Sequence, residues 1–438
     1  MPRHPIDPIS FIHKTSLTDY PAEVILRAKM CLLDLIGIAA GGTKTQLSQI
    51  IHGYARDEMP GPVPFIFHDG SANRAAAAMA IGMGIDSLDG HDGFNPSKGH
   101  IGAPMFPALY TAAIGQAMSG ANFLAALIVG YELGARTAIA QHRSCPDYHT
   151  SGSWGAVAAA GVAARVMGLD AGQTRHALGI AEYHGPRSQM MRCIDHPTMV
   201  KDGAGWGAMC GVSAAGMAAR GFTGAPAITV EQASDLWQDA GQHWYMLEQY
   251  YKPYPVCRWA QAPVEAALSL RRALNLQSSD IQKIDIETFH ESVRLATATP
   301  KTTEEAQYST SFPVAIALAR GGIAPDDLDN AALQDPEILR LSQATLMHES
   351  DMPNAEFPLR RFARVRLTLS DGNTHESDWF EPAWDHTAPP SPADIAAKYH
   401  ALSDPILGAA RAAAIEDSVM RLDKTQFDPL AALLRGAP

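Results

Sequence analysis

Eighteen residues constrain this chain more than any other stretch: Ile85-Asp86-Ser87-Leu88-Asp89-Gly90-His91-Asp92-Gly93-Phe94-Asn95-Pro96-Ser97-Lys98-Gly99-His100-Ile101-Gly102. They hold three Asp, two His, one Lys and four Gly, and they lie between an Ala/Met-rich helical segment (72–84) and an apolar one (107–118). Burying the flanks desolvates the charges between them, which costs several kcal/mol for each charge left unpaired. Polar groups this dense need a charged ligand or a catalytic step that uses them. The stretch is read as the first half of an active site.

The chain around it is mostly helical. Val24, Ile25, Ala28, Cys31, Leu32, Leu35 and Ile36 recur at threes and fours, which predicts a helix over 21–38 ended by Gly41-Gly42. Similar signals predict helices over 48–54, 72–88, 106–118, 122–141, 155–167, 171–182 and 203–220, with acidic or aromatic helices following to 249. Their Ala and Gly content implies close packing. The texture changes after Lys252-Pro253-Tyr254-Pro255. Residues 281–289 and 364–369 alternate with period two and predict strands, the second before an Asp371-Gly372 turn. With helices over 264–274, 310–320 and 335–344 they predict a smaller α+β domain, residues 266–390. Closing helices over 392–399, 405–418 and 428–434 are expected to return to the first domain, which then comprises 1–265 and 391–438. The fold class is mainly α: a large all-helical domain built from both chain ends plus a smaller inserted α+β domain.

A length of 438 residues, 46% hydrophobic and 18% charged, fits a globular enzyme. The net charge of -12 and the lack of any Lys/Arg run argue against a nucleic-acid partner, while a pocket with local cations could still take a small anion. Cys31, Cys145, Cys193, Cys210 and Cys257 are odd in number and lack C-x-x-C spacing, so reduced thiols in a cytoplasmic setting are expected. The N-terminus has no apolar signal core, and no run is read as approaching the ~18 apolar residues of a membrane span, so no membrane partner is expected. Dinucleotide, P-loop, nucleophile-elbow and zinc-peptidase motifs are missing.

Four more segments carry chemistry: Asp147-Tyr148-His149-Thr150-Ser151-Gly152-Ser153-Trp154-Gly155, Thr198-Met199-Val200-Lys201-Asp202-Gly203, Tyr251-Lys252-Pro253-Tyr254-Pro255-Val256-Cys257-Arg258-Trp259, and Thr302-Thr303-Glu304-Glu305-Ala306-Gln307-Tyr308-Ser309. Together with the spacing from Asp89 to Lys98-Gly99-His100, they resemble the MmgE/PrpD family, which includes 2-methylcitrate dehydratase, cis-aconitate decarboxylase and iminodisuccinate epimerase. The resemblance runs nearly end to end, and it rests on five segments in order rather than on one specific motif. It implies a homodimer whose active site lies between the two domains, with no metal and no organic cofactor. By position, it implies catalytic roles for Asp89, His100, His149, Lys201 and Lys252. The sequence departs from the family's pattern at His91, Gly93, Ala204 and Gln261, changes expected to lie in the pocket and to leave the substrate open.

These residue types suit the chemistry on their own terms. Taking a proton from carbon beside a carboxylate needs a base, and the enediolate-like charge that develops needs cations or donors. Lys98, Lys201, Lys252 and Arg258 can hold carboxylates and that charge. His100 and His149 titrate near neutrality, and Asp89 can orient one of them or serve as the base. Tyr308 is equally a core residue or a substrate contact. Cys257 is either a buried small hydrophobe or a thiol whose pKa Lys252 and Arg258 lower. Each His alone reads equally as a loop hydrogen-bonder, and each Lys as a solvated surface group. The expected function is a cofactor-independent lyase, dehydratase or decarboxylase, acting on a small di- or tricarboxylate. The alternatives are an epimerase acting on an iminodisuccinate-like dicarboxylate and a non-catalytic carboxylate-binding homologue.

Overall fold

Helices rich in Ala, Gly and aliphatic residues form the larger body of the computed structural model, which describes residues 7–329 and 331–438. Its long helices are α1 (Ala22–Gly42), α2 (Arg74–Asp86), α3 (Gly102–Ala113), α4 (Gly120–Ser144), α5 (Ser151–Val166), α6 (Ala171–His184) and α7 (Ala204–Ala218). Short polar residues start several of them. Asn73 Oδ1 accepts from Ala76 N at 3.0 Å and Asp170 Oδ1 from Gln173 N at 2.8 Å, each satisfying an amide that the first turn leaves unpaired.

Glycine decides how closely these helices approach. A Cβ on Gly205 of α7 would lie 2.4 Å from Met79 O of α2, and one on Gly152 of α5 would lie 2.1 Å from Gly203 O. Only a missing side chain permits such backbone contact. The packing draws together the loop after α2, the loop before α5 and the loop before α7.

Helix α4 corrects the expectation that no run approaches a membrane span, an expectation that follows from the Gly, Tyr and Glu interrupting its apolar run. It is long and apolar enough by length and composition, and its most apolar window is 94% buried inside the protein, as a central core helix would be.

After α8 (Arg258–Ala273) the chain enters a four-stranded sheet, β1 (Ile281–Thr288), β2 (Thr345–Glu349), β3 (Arg364–Leu369) and β4 (Thr374–Glu376), in the order β2-β1-β3-β4. β1 and β2 are parallel, so a crossover must join them, and it contains α9 (Ser311–Arg320) and α10 (Pro336–Gln343). β3 is antiparallel to both β1 and β4. Ile284 and Ile286 of β1 share a core with Val264 of α8 and Ile316 of α9. The chain closes with α11 (Pro392–Leu407), α12 (Ala409–Met420) and α13 (Asp428–Leu434).

Two cores result. The main one draws on residues 11–251 and again on 395–434, and the second on residues 256–367. α11 lies against α1, where Lys398 Nζ donates to Asp34 Oδ1 at 2.5 Å and to Gly90 O at 2.7 Å. The C-terminal helices thereby hold the polar stretch at 85–102 from behind.

Three local expectations need correction. β2 was not foreseen, since its burial does not alternate: Thr345 alone is buried, and Leu346, His348 and Glu349 are exposed or nearly so. The helices expected up to 249 are single turns at Ile228–Glu231, Ser234–Trp237 and Tyr245–Glu248. The helices expected over 392–399 and 405–418 break elsewhere, because Pro405 fits inside the last turn of α11 and Gly408, at φ 77°, makes the break.

Candidate active site

Asp89 follows α2 on a backbone with φ of 49°, and its amide donates to Asp86 O at 3.1 Å. Further on, Gly93-Phe94 forms a two-residue antiparallel ladder with Gln249-Tyr250. This ladder brings Lys252 to Asp89: its Nζ donates to Asp89 Oδ1 at 2.6 Å and to Asp89 O at 2.7 Å, with both side chains buried. Burial opposes both charges, but each more than compensates the other. Lys252, with Lys201, holds the Asp89 carboxyl well below the usual carboxylate range, and Asp89 holds the Lys252 ammonium above its ordinary value.

His100 lies beside this pair. Its Nδ1 is 2.7 Å from the carbonyl oxygen of Asp92. A carbonyl can only accept, so Nδ1 carries the hydrogen and the neutral ring leaves a lone pair on Nε2. Nε2 stands 3.7 Å from Asp89 Oδ1 and 3.8 Å from Asp202 Oδ2. Burial, with His91 and Lys252 adding to it, holds the imidazolium well below its ordinary pKa, so the ring is neutral.

Ser151, the first residue of α5, ties this arrangement together. Its Oγ accepts from His100 N at 2.9 Å and donates to Asp202 Oδ2 at 2.9 Å. Asp202 is pushed up to about 7, first by burial and then by the neighbouring Asp86 and Asp89. A base with a free lone pair and a carboxyl that holds its proton near neutrality therefore face the same space.

That space is a cavity of about 50 Å³, lined among others by Asp89, Lys98, His100, Asp202, Lys252 and Tyr308. Cys257, Arg258 and Arg361 also line it, as do the apolar side chains Met190, Ile194, Trp259 and Phe357. Lys98, on a backbone with φ of 55°, stacks its ammonium 3.2 Å from the Tyr148 ring centre. Among the described residues no carboxylate lies within salt-bridge distance of Lys98 or Arg361. Burial, with Arg361 adding, pushes Lys98 down to about 8. Of the four cations at the cavity, Lys252 and Arg258 have carboxylate partners, in Asp89 and Asp385, so two positive charges await an anion.

The other expected residues fall into place unevenly. Lys201 is buried behind the wall at φ 46°, donates to Gln307 Oε1, and stands 4.9 Å from the Tyr308 ring centre. His149 does not line the cavity. Its Nδ1 donates to Asp147 O at 3.0 Å, while the main chain beside it pairs with Ser188 and Met190. Cys257 lines the cavity, but the expectation of a lowered pKa is overturned: burial and then Asp89 push the thiol up to about 12, more than Lys252 can offset.

The departures expected in the pocket also lie outside it. His91 is buried beneath His100 with Nε2 3.2 Å from Asp86 Oδ1, and Gln261 Nε2 donates to Tyr254 O and Val256 O, each at 3.0 Å. Gly93 and Ala204 are likewise absent from the lining.

Asp202, Ser151, Gln307 and Arg361 carry no expected role from the sequence. The first three sit inside the segments quoted there. Asp202, adjacent to Lys201, carried the clearest signal, a second carboxylate in a Gly-bounded loop. Among the described residues, no group of three or more His, Cys, Asp or Glu side chains is arranged to hold a metal ion.

Comparison with known proteins gives two family matches. Residues 9–239 match the MmgE/PrpD N-terminal domain and residues 254–424 the MmgE/PrpD C-terminal domain. Among curated relatives, a cis-aconitate decarboxylase of Aspergillus terreus is 25% identical, with 95% of this chain and 92% of the relative covered. The cis-aconitate decarboxylases of Mus musculus and Homo sapiens are 23% and 24% identical, each covering 90% of this chain and, respectively, 86% and 87% of the relative.

Proposed function

Because the chain belongs to the MmgE/PrpD family, we propose that it is a lyase acting on a small polycarboxylate by general acid/base chemistry. The observation that carries this reading is the neutral His100, whose Nε2 lone pair faces a cavity holding two cations without carboxylate partners. Substrate carboxylates would sit on those cations. His100 Nε2 would then take the proton from carbon beside a carboxylate, with Lys252 and Lys98 stabilising the charge that moves onto the carboxylate oxygens. In a dehydration, the C–H electron pair forms the double bond, and the departing hydroxyl leaves as water with the proton from Asp202. In a decarboxylation no C–H proton is taken: the C–C bond breaks, carbon dioxide leaves, the electron pair stays on carbon, and that carbanion takes the Asp202 proton, which His100, 3.8 Å away, would help replace from solvent.

The relatives' names favour decarboxylation of a cis-aconitate-like tricarboxylate. An epimerase needs two bases on opposite faces of one carbon, each in contact with it. The 3.8 Å between His100 Nε2 and Asp202 Oδ2 is too short to hold a carbon between them and suits an acid and a base on one side. Incubating the purified protein with cis-aconitate, citrate and 2-methylcitrate and following the products by NMR tests the proposal. Loss of carbon dioxide or water from one of them is expected. Binding without conversion of any would instead identify a carboxylate-binding homologue.

A further inference from the structure

Arg258, at the start of α8, and Arg361, just before β3, are 5% and 6% exposed. They line the inner cavity, and they also line a second, outer cavity of about 420 Å³ bounded by Asn95, Leu359, Trp384, Asp385 and His386. The two spaces differ in what they can admit. The inner one has room for little more than water, whereas the outer one is of the size that takes small organic ligands, roughly 300–1,000 Å³.

The hydrogen bonding of the two guanidinium groups is incomplete. Arg258 Nη2 donates to Asp385 Oδ2 at 2.6 Å, and its Nη1 reaches Tyr251 O and Ala383 O, each at 3.3 Å. Arg361 Nη1 donates to Asn95 Oδ1 at 3.0 Å, and Asn95 Nδ2 in turn donates to Asp385 Oδ2 at 3.0 Å. The Nε of both arginines is buried without an acceptor among the described residues. A buried donor left unmade is costly, and with Asp385 bound to Arg258 and reached by Arg361 only through Asn95, the two guanidinium groups leave a positive charge over. Asp385 is itself shared, since His386 Nδ1 stands 2.7 Å from its other oxygen.

We propose that Arg258 and Arg361 form a carboxylate-docking station at the mouth of the site, reached from the outer cavity, which Asp385 occupies in part until a substrate carboxylate displaces it. This deepens the polycarboxylate reading and rests on it. Guanidinium groups recognise carboxylates through paired N–H donors, so the station selects a substrate carboxylate remote from the reacting carbon. Asp385 acts as a built-in competitor. Its release frees Arg258, and the bound substrate then bridges the station and the inner cations Lys98 and Lys252.

The test is calorimetric titration of the full chain with tricarballylate, a saturated tricarboxylate with no double bond to react, and with succinate and propionate. Wild type is expected to bind tricarballylate more tightly than succinate, and succinate more tightly than propionate. Arg361→Gln should weaken tricarballylate binding roughly 10- to 100-fold, the loss of a charge-assisted pair. Asp385→Asn should tighten it several-fold, a direction that damage to the fold does not produce, so this variant decides the matter even if Arg361→Gln misfolds. Wild-type binding that Arg361→Gln leaves unchanged, or that Asp385→Asn weakens, would overturn the station, as would no binding of any probe at millimolar concentration. None of these readouts needs turnover. A protein that converts substrate but shows unchanged variant affinities loses the station and keeps the lyase reading, and the reverse result loses the lyase reading alone.

Discussion

Asp89, Lys98 and Lys201 have φ angles of 49°, 55° and 46°, in the left-handed region that costs a residue with a side chain roughly 1–2 kcal/mol. Glycine would avoid that cost, so the charged side chains are retained for what they do, and strain of this kind clusters at functional sites. The acid and base then set a pH profile. The Asp202 carboxyl, pushed up to about 7 by burial, is protonated below that value, so its role as acid is present at lower pH and lost as pH rises through it. His100, held well below its ordinary pKa by burial, stays neutral through the mildly acidic range, so the base is not lost there. We expect kcat/KM to be level through the mildly acidic range and to fall about tenfold per unit above about pH 7, with the fall in Asp202→Asn moved up to about pH 8, where Lys98 loses its charge, at a lower rate. A steady-state pH series checks this. A profile that rises through pH 7 would reverse the assigned roles.

At the scale of elements, the site depends on loops held by helix contact. Gly152→Ala would put a methyl into the carbonyl of Gly203, beside Lys201 and Asp202, and should cost about 1–3 kcal/mol in urea unfolding together with most of the activity. Gly53, in the helix Gln46–Glu58, has open space around it, and Gly53→Ala should stabilise by up to about 1 kcal/mol and leave activity unchanged. Equal responses of the two variants would show that glycine contact does not position the site.

The same contrast shows what was legible in the sequence. α1 announces itself through spacing, although it runs on through the Gly41-Gly42 pair expected to end it, α6 through its Asp170 cap, and β1 and β3 through alternation. β2 does not, because most of its side chains face solvent and leave no periodic pattern. Asp89, Lys98, His100, Lys252, Cys257, Arg258 and Tyr308 could be placed near one another from five ordered segments, and all seven line the cavity. Arg361 could not. It stands in an Arg360-Arg361 pair that looks like ordinary surface, and only the fold of the second body turns it inward. His149 owes its expected role to position in a segment, and the chain there is used through its backbone instead.

At the scale of the whole molecule, the cavity lies where the two cores meet, with Asp89, His100 and Asp202 from the helical side and Tyr308, Phe357 and Arg361 from the other. At about 50 Å³ the cavity is smaller than a tricarboxylate, and we expect the bodies to part when substrate enters. On another side of the same junction, Lys44 and Asp326 stand 3.8 Å apart across a cleft of about 520 Å³, both well exposed. With the partly exposed Cys145 and Cys210 replaced by Ser, a cleavable thiol cross-link between Lys44→Cys and Asp326→Cys should cut turnover at least about tenfold, and cleavage should restore it. Full activity of the cross-linked protein would mean that entry needs no such motion. The central claim, that His100 moves a proton at carbon beside a carboxylate or supports the step that does, is tested most directly by NMR in heavy water. Wild type should place solvent deuterium on that carbon of the product or recovered substrate, and His100→Gln should slow this roughly 10²–10⁴-fold with the fold intact. Undiminished deuterium incorporation by His100→Gln would contradict the account.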